Sequence, residues 1–280
     1  MTTERIDAHQ HFWQPSRGDY GWLTPELTTL YRPFAPDDLK PLREAAEIGR
    51  TVVVQAAPTI DETRYLLDLA RDEPSIAGVV GWVPLDAPNA AESIRELARD
   101  PKFKGVRPML QDLNDDRWIE QPELGAAIHA LIDGDLSFDA LIFTRHIPSI
   151  KRFAANFPAL RIVVDHGAKP PIKEGVAAWQ SWADGMEQLA ALPQRLHCKL
   201  SGLATEAGPD WTPATLRPYV DHLIENFGPE RLMWGSDWPV LNLNGDYARW
   251  STAAHSLTER LGASAQQAIF GGTALAFYRL

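Results

Sequence analysis

The chain has 280 residues, of which 45% are hydrophobic and 23% charged, and this composition supports a sizeable buried core. Its formal net charge of −10 argues against nucleic acid or an anionic membrane surface as a partner. The opening MTTERIDAHQ has no signal-peptide pattern, and no run of about 18 apolar residues suggests a transmembrane helix, so we expect a cytoplasmic protein.

Eight short apolar runs, rich in β-branched residues, predict β-strands along the chain. These runs are RIDAHQHF (5–12), TVVVQAAP (51–58), AGVVGWVPL (77–85), KGVRPML (104–110), FDALIF (138–143), LRIVVDHGA (160–168), LHCKLSGL (196–203) and RLMWGSDWPV (231–240). Between them lie helical patterns such as DETRYLLDLARDEP and LRPYVDHLIENFG, with apolar residues at i, i+3, i+4 and i+7. Strands that alternate with helices imply parallel pairing, because a parallel connection requires a crossover.

Eight strand–helix units predict an α/β fold, a (β/α)8 TIM barrel that takes residues 1–280 as one domain. A doubly wound open sheet is the alternative, but it usually has a glycine-rich phosphate turn after its first strand, and HQHFWQPSRGDY is not one. A long irregular segment, about residues 12–38, follows the first predicted strand. We expect this segment to extend over the C-terminal mouth of the barrel, where such folds keep their active-site loops.

His9 and His11 are separated by one residue at the end of the first predicted strand. Residues i and i+2 of a strand point to the same side, so the two imidazoles would meet at the barrel mouth. Such a pair can bind a metal, polarise a carbonyl group, or simply be hydrogen-bonded at a strand end. The choice between these depends on which other side chains reach the same place.

Two further polar residues end apolar strands, His166 on the sixth and Asp237 on the eighth. Asp237 could be a helix cap or a turn residue. Asp237 ends the strand that closes the barrel beside the first one, and this position favours a functional role. His166 is favoured because the C-terminal ends of all strands converge on the same mouth. Asp165 should face the other way from His166 in a regular strand and is expected to be structural.

Three more polar residues near strand ends each have two interpretations. Arg107 is either a substrate anchor or part of an internal salt bridge, and Lys199 is either a substrate contact or a paired, snorkelling lysine. His146 contacts substrate or merely opens a helix. The only cysteine, Cys198, excludes an intrachain disulfide, and its apolar neighbours predict a packing residue.

Tryptophan is frequent, with ten residues in the chain, and several lie near predicted strand ends. Trp13, Tyr20 and Trp22 follow the first strand, and Trp238 adjoins Asp237. Aromatic rings at a barrel mouth either hold the apolar face of a ligand or pack the core and the covering loop. The sequence leaves both interpretations open for each ring.

These stretches resemble the amidohydrolase superfamily and, more narrowly, its amidohydrolase 2 type lactonase branch. That branch includes L-fuconolactone and L-rhamnonolactone hydrolases and 2-pyrone-4,6-dicarboxylate lactonase. The resemblance spans nearly the whole chain and rests on DAHQHFW, YGWL, KGVRPMLQ, RHIP, VVDHGAKP, KLSGL and RLMWGSDWPV. The C-terminal IFGGTALAFYRL also fits, although the family usually has asparagine where Thr273 stands.

The resemblance implies that His9, His11, His166 and Asp237 form the catalytic group. Binuclear members of the superfamily bridge two metals with a lysine or glutamate on the fifth strand, and FDALIFTRH offers neither. A two-metal site is therefore not expected. The resemblance implies no cofactor or one divalent metal, with zinc as the first choice, held by His9, His11 and Asp237 with His166 as a further candidate.

The expected function is hydrolysis of a lactone, with Asp237 as the general base for water and the histidines around the carbonyl oxygen. Arg107, His146, Trp22, Trp238 and Lys199 are the candidate substrate contacts. An aldonolactone is favoured over a dicarboxylate lactone, because few arginines are placed at the mouth. A metal-dependent decarboxylase of the same superfamily, an amide or imide hydrolase, and a non-catalytic sugar-binding barrel are the alternatives. The partner expected is a small-molecule lactone, and a homo-oligomer is left open.

Overall fold

The computed structural model describes residues 4–194 and 196–280, and its eight strands form one parallel sheet in chain order. The strands are β1 (Ile6–Gln10), β2 (Arg50–Val54), β3 (Ile76–Gly81), β4 (Phe103–Val106), β5 (Ser137–Ala140), β6 (Arg161–Val164), β7 (His197–Leu200) and β8 (Leu232–Trp234). The sheet closes where the chain leaving β8 runs beside β1. Asp237 N donates to His9 O (2.8 Å) and His11 N donates to Trp238 O (2.7 Å). The predicted TIM barrel is confirmed.

Helices surround the barrel, and in the described part of the chain eight lie between successive strands and three follow β8. They are α1 (Pro36–Ala45), α2 (Ile60–Asp72), α3 (Ala90–Leu97), α4 (Gly125–Asp133), α5 (Ile147–Asn156), α6 (Val176–Ala190), α7 (Leu203–Ala207), α8 (Pro213–Phe227), α9 (Tyr247–Thr258), α10 (Ala263–Gln267) and α11 (Thr273–Tyr278). Several begin at a capping side chain, as at α2, where Thr59 Oγ accepts from Glu62 N (3.1 Å). In the described ranges, none of these helices combines the length and apolarity that a bilayer crossing requires.

The strands are buried on both faces because helices cover one face and the barrel interior fills the other. Val52, Val53 and Val54 of β2 are all fully buried. One cluster of the core joins Val52 and Val54 to Phe277 and Tyr278 of α11. The last helix therefore packs against the same strands that position the polar residues of the mouth.

The segment between β1 and α1 is held together by its own backbone and by aromatic side chains. Trp13 and Phe34 exchange two backbone hydrogen bonds (3.1 and 2.9 Å), and the Trp13 indole donates to Leu30 O and Arg32 O. Helix α1 begins at Pro36, so the irregular part ends slightly before the predicted residue 38. This segment carries two tryptophans toward the mouth of the barrel.

Candidate active site

A pocket of about 190 Å³ lies where the C-terminal ends of the strands converge. Its charged and titratable lining comes from residues after β1, β4, β6 and β8, together with aromatic side chains of the segment after β1. Those lining residues include His11, Trp13, Trp22, Arg107, His166, Lys169 and Asp237. The parallel barrel thus brings together side chains that are more than 200 residues apart in the chain.

The Asp237 carboxylate lies at the centre of three imidazoles. Its Oδ1 is 3.3 Å from His11 Nε2, 3.7 Å from His9 Nε2 and 3.8 Å from His166 Nε2. His9 and His11 face the same side of β1, with their Nε2 atoms 3.2 Å apart. All four side chains are almost completely buried. The structure therefore brings the four residues predicted as the catalytic group to one point.

Backbone conformation at two of these residues departs from regular secondary structure. His166 and Asp237 have φ values of +54° and +58°, in the left-handed region that side chains with a Cβ rarely adopt. Gly202, at φ +68°, lies against the imidazole of His166, and a Cβ there would be 2.7 Å from the ring. His166 Nδ1 is 2.9 Å from Ser201 Oγ. The chain around β6 and β7 is therefore shaped to hold this ring.

Hydrogen-bond partners assign the proton positions on the first two imidazoles. His11 Nδ1 lies 2.8 Å from Val54 O, which can only accept, so Nδ1 carries the proton and Nε2 is an acceptor. His9 Nδ1 lies 3.1 Å from the Lys199 ammonium, which can only donate, so Nε2 carries the proton. Arg107 also approaches His9 Nε2, but at 3.5 Å, and the shorter lysine contact sets the tautomer. His9 consequently presents a donor to the site and His11 an acceptor.

Lys199 lies beneath His9 in the barrel interior, outside the lining of the pocket. Its Nζ is 2.6 Å from Asp139 Oδ2 and 3.0 Å from Asp165 Oδ1, and all three side chains are fully buried. The Tyr278 hydroxyl also donates to Asp139 Oδ2 (2.6 Å). Lys199 is therefore paired, which agrees with one of its two sequence-based interpretations. Its ammonium reaches the pocket indirectly, through its contact with His9 and through Asp165, which faces Arg107.

Asp165 does not face away from the site, as strand alternation predicts. Its Oδ1 is 3.5 Å from His9 Nδ1, and its Oδ2 is 3.8 Å from Arg107 NH1. Strand β6 ends at Val164, and the next residues leave the extended conformation, so alternation no longer applies at Asp165 and His166. Both neighbours can then reach the centre of the barrel.

Burial and neighbouring charges set the protonation states at the centre. Burial lowers the pKa of His9 and of His166 well below the ordinary value of 6.5, and it also lowers the pKa of His11. Burial would raise the pKa of the Asp237 carboxyl, but its interactions with His166 and His11 outweigh burial, and the net direction is down. Near neutral pH the site therefore holds an ionised carboxylate among neutral imidazoles.

Arg107 and Trp22 line the pocket, and both are held by the short turn that follows β2. Arg107 donates through Nε and NH2 to Gln55 Oε1 (3.0 and 2.7 Å), and NH2 also contacts Gln55 O. The Trp22 indole donates to Ala56 O (2.7 Å). Two of the five predicted substrate contacts therefore share one support.

Glu62 of α2, which the sequence reasoning did not select, fixes this turn from below. Its carboxylate accepts from Ala56 N (2.9 and 3.0 Å) and from Ala57 N (2.8 Å). The side chain is fully buried, and burial raises its pKa to about 8, against the effect of the two backbone donors. A glutamate in an amphipathic helix normally indicates a solvated face, so the sequence held no signal of this role.

The remaining two predicted substrate contacts lie outside the lining of this pocket. His146 accepts from Phe143 N through Nδ1 (3.0 Å), and its Nε2 is 3.1 Å from Asp116 Oδ1. Trp238 is 2% exposed and packs edge-on against Phe34, with 5.2 Å between ring centroids. Both side chains therefore support loops around the mouth.

The centre has a donor set that suits one divalent ion. Ligand atoms of His9, His166 and Asp237 lie within 4.8 Å of one another. This group contains His166, the further candidate of the sequence-based set, in place of His11. Two imidazole nitrogens and one carboxylate oxygen are the ligand types that zinc accepts in catalytic sites with one open position. His9 must lose its Nε2 proton to bind an ion through that atom. The fifth-strand carboxylate, Asp139, is already engaged by Ser137, Lys199 and Tyr278.

Comparisons with known proteins agree with this architecture. The family model described as "Amidohydrolase" matches residues 6–280. The chain is 50% identical to an L-fucono-1,5-lactonase from Burkholderia ambifaria, over 99% of this chain and 96% of that protein. It is 39% identical to an L-fucono-1,5-lactonase from Burkholderia multivorans, over 100% and 97% respectively. A crystal structure of an amidohydrolase from Burkholderia multivorans with bound zinc superimposes with a TM-score of 0.92, at 40% identity and 99% coverage of both chains.

Proposed function

The chain belongs to the amidohydrolase family, and we propose that it hydrolyses the ring ester of a sugar-acid lactone. Two lactonase relatives that match almost the full length of the chain support this substrate class. L-Fucono-1,5-lactone is the first substrate to test, because both of those relatives are named for it. Within the described ranges the eight strands pair into one sheet, which supports a single catalytic domain.

The observation that carries the proposal is the carboxylate of Asp237 with three imidazole Nε2 atoms within 3.8 Å. Hydrolysis of an ester requires a base that activates water and donors that stabilise the oxyanion. An ionised Asp237 is suited to the first task. The Nε2–H group of His9 is suited to the second, because Lys199 keeps that proton on the side of the ring that faces the site.

The proposed reaction begins when Asp237 takes a proton from a water molecule as its oxygen bonds to the lactone carbonyl carbon. The carbonyl π electrons move onto the oxygen, which His9 Nε2–H stabilises as an oxyanion. The tetrahedral centre then collapses, the bond from the carbonyl carbon to the ring oxygen breaks, and the proton held by Asp237 passes to that ring oxygen. The product is an open-chain hydroxy acid, which ionises at neutral pH.

A single divalent ion is part of the proposal as an optional component, held by His9, His166 and Asp237. When bound there, zinc would polarise the carbonyl group and lower the pKa of a bound water. The sugar ring would be positioned by Arg107 and by the Trp22 ring, which both line the pocket and are both held by the turn after β2. Lys199 has a positioning role through His9.

The test is hydrolysis of a panel of aldonolactones, followed with a pH indicator. The wild-type protein is assayed as purified, after chelation, and after zinc is restored, beside Asp237→Asn. We expect turnover of a 1,5-lactone by the wild type and a fall of about 10²- to 10⁴-fold in the variant. No turnover of any lactone under any of these metal conditions would refute the proposed function.

A further inference from the structure

The most unusual stretch of backbone in the protein follows β6. His166, Gly167, Ala168 and Lys169 have φ values of +54°, +55°, +58° and +49°, one left-handed turn of four residues. Three of the four carry a Cβ, and this conformation costs about 1–2 kcal/mol for each such residue. Strain of this kind persists only where the surrounding structure holds it, and it concentrates at functional sites.

One hydrogen bond from α6 and one within the turn hold it in place. The Trp182 indole donates to Gly167 O (2.7 Å), and Lys169 N donates to His166 O (2.9 Å). As a result, the side chains of His166 and Lys169 both line the catalytic pocket, three residues apart. The turn therefore positions two side chains, and of these only His166 has a role in the proposed site, as a metal ligand.

Lys169 differs from the other cation of the pocket lining in what its charge contacts. The Arg107 guanidinium is bonded to Gln55 and faces Asp165. Among residues 4–194 and 196–280 the Lys169 ammonium makes no hydrogen bond or close ion pair, and it lies 5.4 Å from the centroid of the Phe143 ring. At longer range its charge lowers the pKa of the Asp237 carboxyl, and it opposes the rise that burial causes in the pKa of Glu206. A cation at this position is available to a ligand.

The chemistry of lactone hydrolysis indicates which ligand this cation would meet. The lactone is neutral, whereas the product carries a carboxylate beside the carboxylate of Asp237. Two negative charges in one largely buried pocket repel each other, and a third, positive group offsets that repulsion. Lys169 lines the same pocket, makes no close ion pair within the described residues, and acts on Asp237 only at longer range.

We propose that Lys169 binds the carboxylate that ring opening creates, and that it sets the affinity for product rather than for lactone. This inference rests on the proposed function. A hydrogen bond to a charged group contributes enough that removing the ammonium should weaken product binding about 10- to 100-fold. The neutral lactone makes no such ion pair, so its KM should change by less than about threefold.

The experiment compares Lys169→Met, Lys169→Arg and the control Lys173→Met. Methionine keeps an unbranched stem and is no more strained than lysine at φ +49°. Lys173 lies on the following turn (Ile172–Glu174) and does not line the pocket, so it controls for removal of a nearby positive charge. Inhibition by the sugar-acid product and KM for its lactone are measured for each protein, with calorimetric titration of the product as a direct readout.

We expect Lys169→Met to raise the inhibition constant of the product at least tenfold, while Lys169→Arg and Lys173→Met stay within threefold of wild type. Wild-type product inhibition should also weaken as ionic strength rises. An unchanged inhibition constant in Lys169→Met would overturn the inference, as would an equal rise in KM and in the inhibition constant. If the wild type hydrolyses no lactone, the proposed function fails instead, so the two failures are distinguishable.

Discussion

Replacing Lys199 with methionine tests how the buried charges beneath the site hold the fold and the catalytic ring together. Lys199 is fully buried, and its ammonium has three neighbours within 3.1 Å, on Asp139, Asp165 and His9. Methionine keeps most of the stem volume but removes the charge. Two carboxylates would then remain in the barrel interior without the cation they share, and Asp165 would keep only the more distant Arg107, at 3.8 Å.

The expected cost follows from that uncompensated charge. Removing one partner of a buried ion pair destabilises a protein by about 3–5 kcal/mol. At about 2–4 °C per kcal/mol for a chain of this size class, Tm should fall by roughly 6–20 °C. The difference in Tm between wild type and variant should become smaller as pH falls. The unpaired Asp139 and Asp165 carboxyls would have raised pKa values in the variant and could protonate.

The assay is thermal unfolding followed by circular dichroism at pH 8 and pH 5. Lys151→Met is the control, since Lys151 is bonded to Gln188 Oε1 (2.6 Å) at the protein surface and its loss should cost less than about 0.5 kcal/mol. The double variant Lys199→Met with Asp139→Asn should recover part of the loss. A fall in Tm of less than 2 °C for Lys199→Met at pH 8 would refute the reasoning.

Three further predictions concern the pocket. The pH profile of kcat/KM should show no inflection near 6.5, because the pKa values of His9, His166 and Asp237 are all lowered; an inflection there would show that an imidazole protonates in the working range. Glu62→Ala should raise KM and lower the free energy of unfolding by about 2–5 kcal/mol, since two buried N–H groups lose their acceptor. KM is measured by substrate titration of this variant and of Glu62→Gln, and an unchanged KM in Glu62→Ala would contradict this prediction. His166→Asn should weaken zinc binding at least tenfold in equilibrium dialysis, and equal uptake by both proteins would argue against this ligand set.

Much of the fold could be predicted from local pattern. Apolar runs rich in β-branched residues mark the strands because both faces of a barrel strand are buried, and the i, i+2 spacing places His9 and His11 on one side. The residues at the ends of β6 and β8 follow the same logic, since a parallel barrel brings all strand ends to one mouth. His166 and Asp237 were therefore predictable as neighbours of the pair.

Local pattern failed where the backbone leaves regular structure or where partners are distant in the chain. Asp165 reaches the centre because β6 ends one residue earlier, which no periodicity reveals. Lys169 is part of the stretch VVDHGAKP, but its placement in the pocket depends on a left-handed turn that residues with a Cβ rarely adopt. Glu62 lies in a helix whose sequence indicates a solvated face, yet it is fully buried against the turn after β2.

Periodicity and chain order are enough to predict the barrel and the mouth at the strand ends, and the family resemblance identifies the four residues that meet there as one group. Only the tertiary structure decided the chemistry that those residues can perform. Which nitrogen of His9 carries the proton depends on Lys199, 190 residues away, and the availability of the Lys169 charge depends on a strained turn held by Trp182. Protonation and electrostatic pairing are set by three-dimensional neighbours in a low-dielectric interior, and local sequence pattern carries little information about such neighbours.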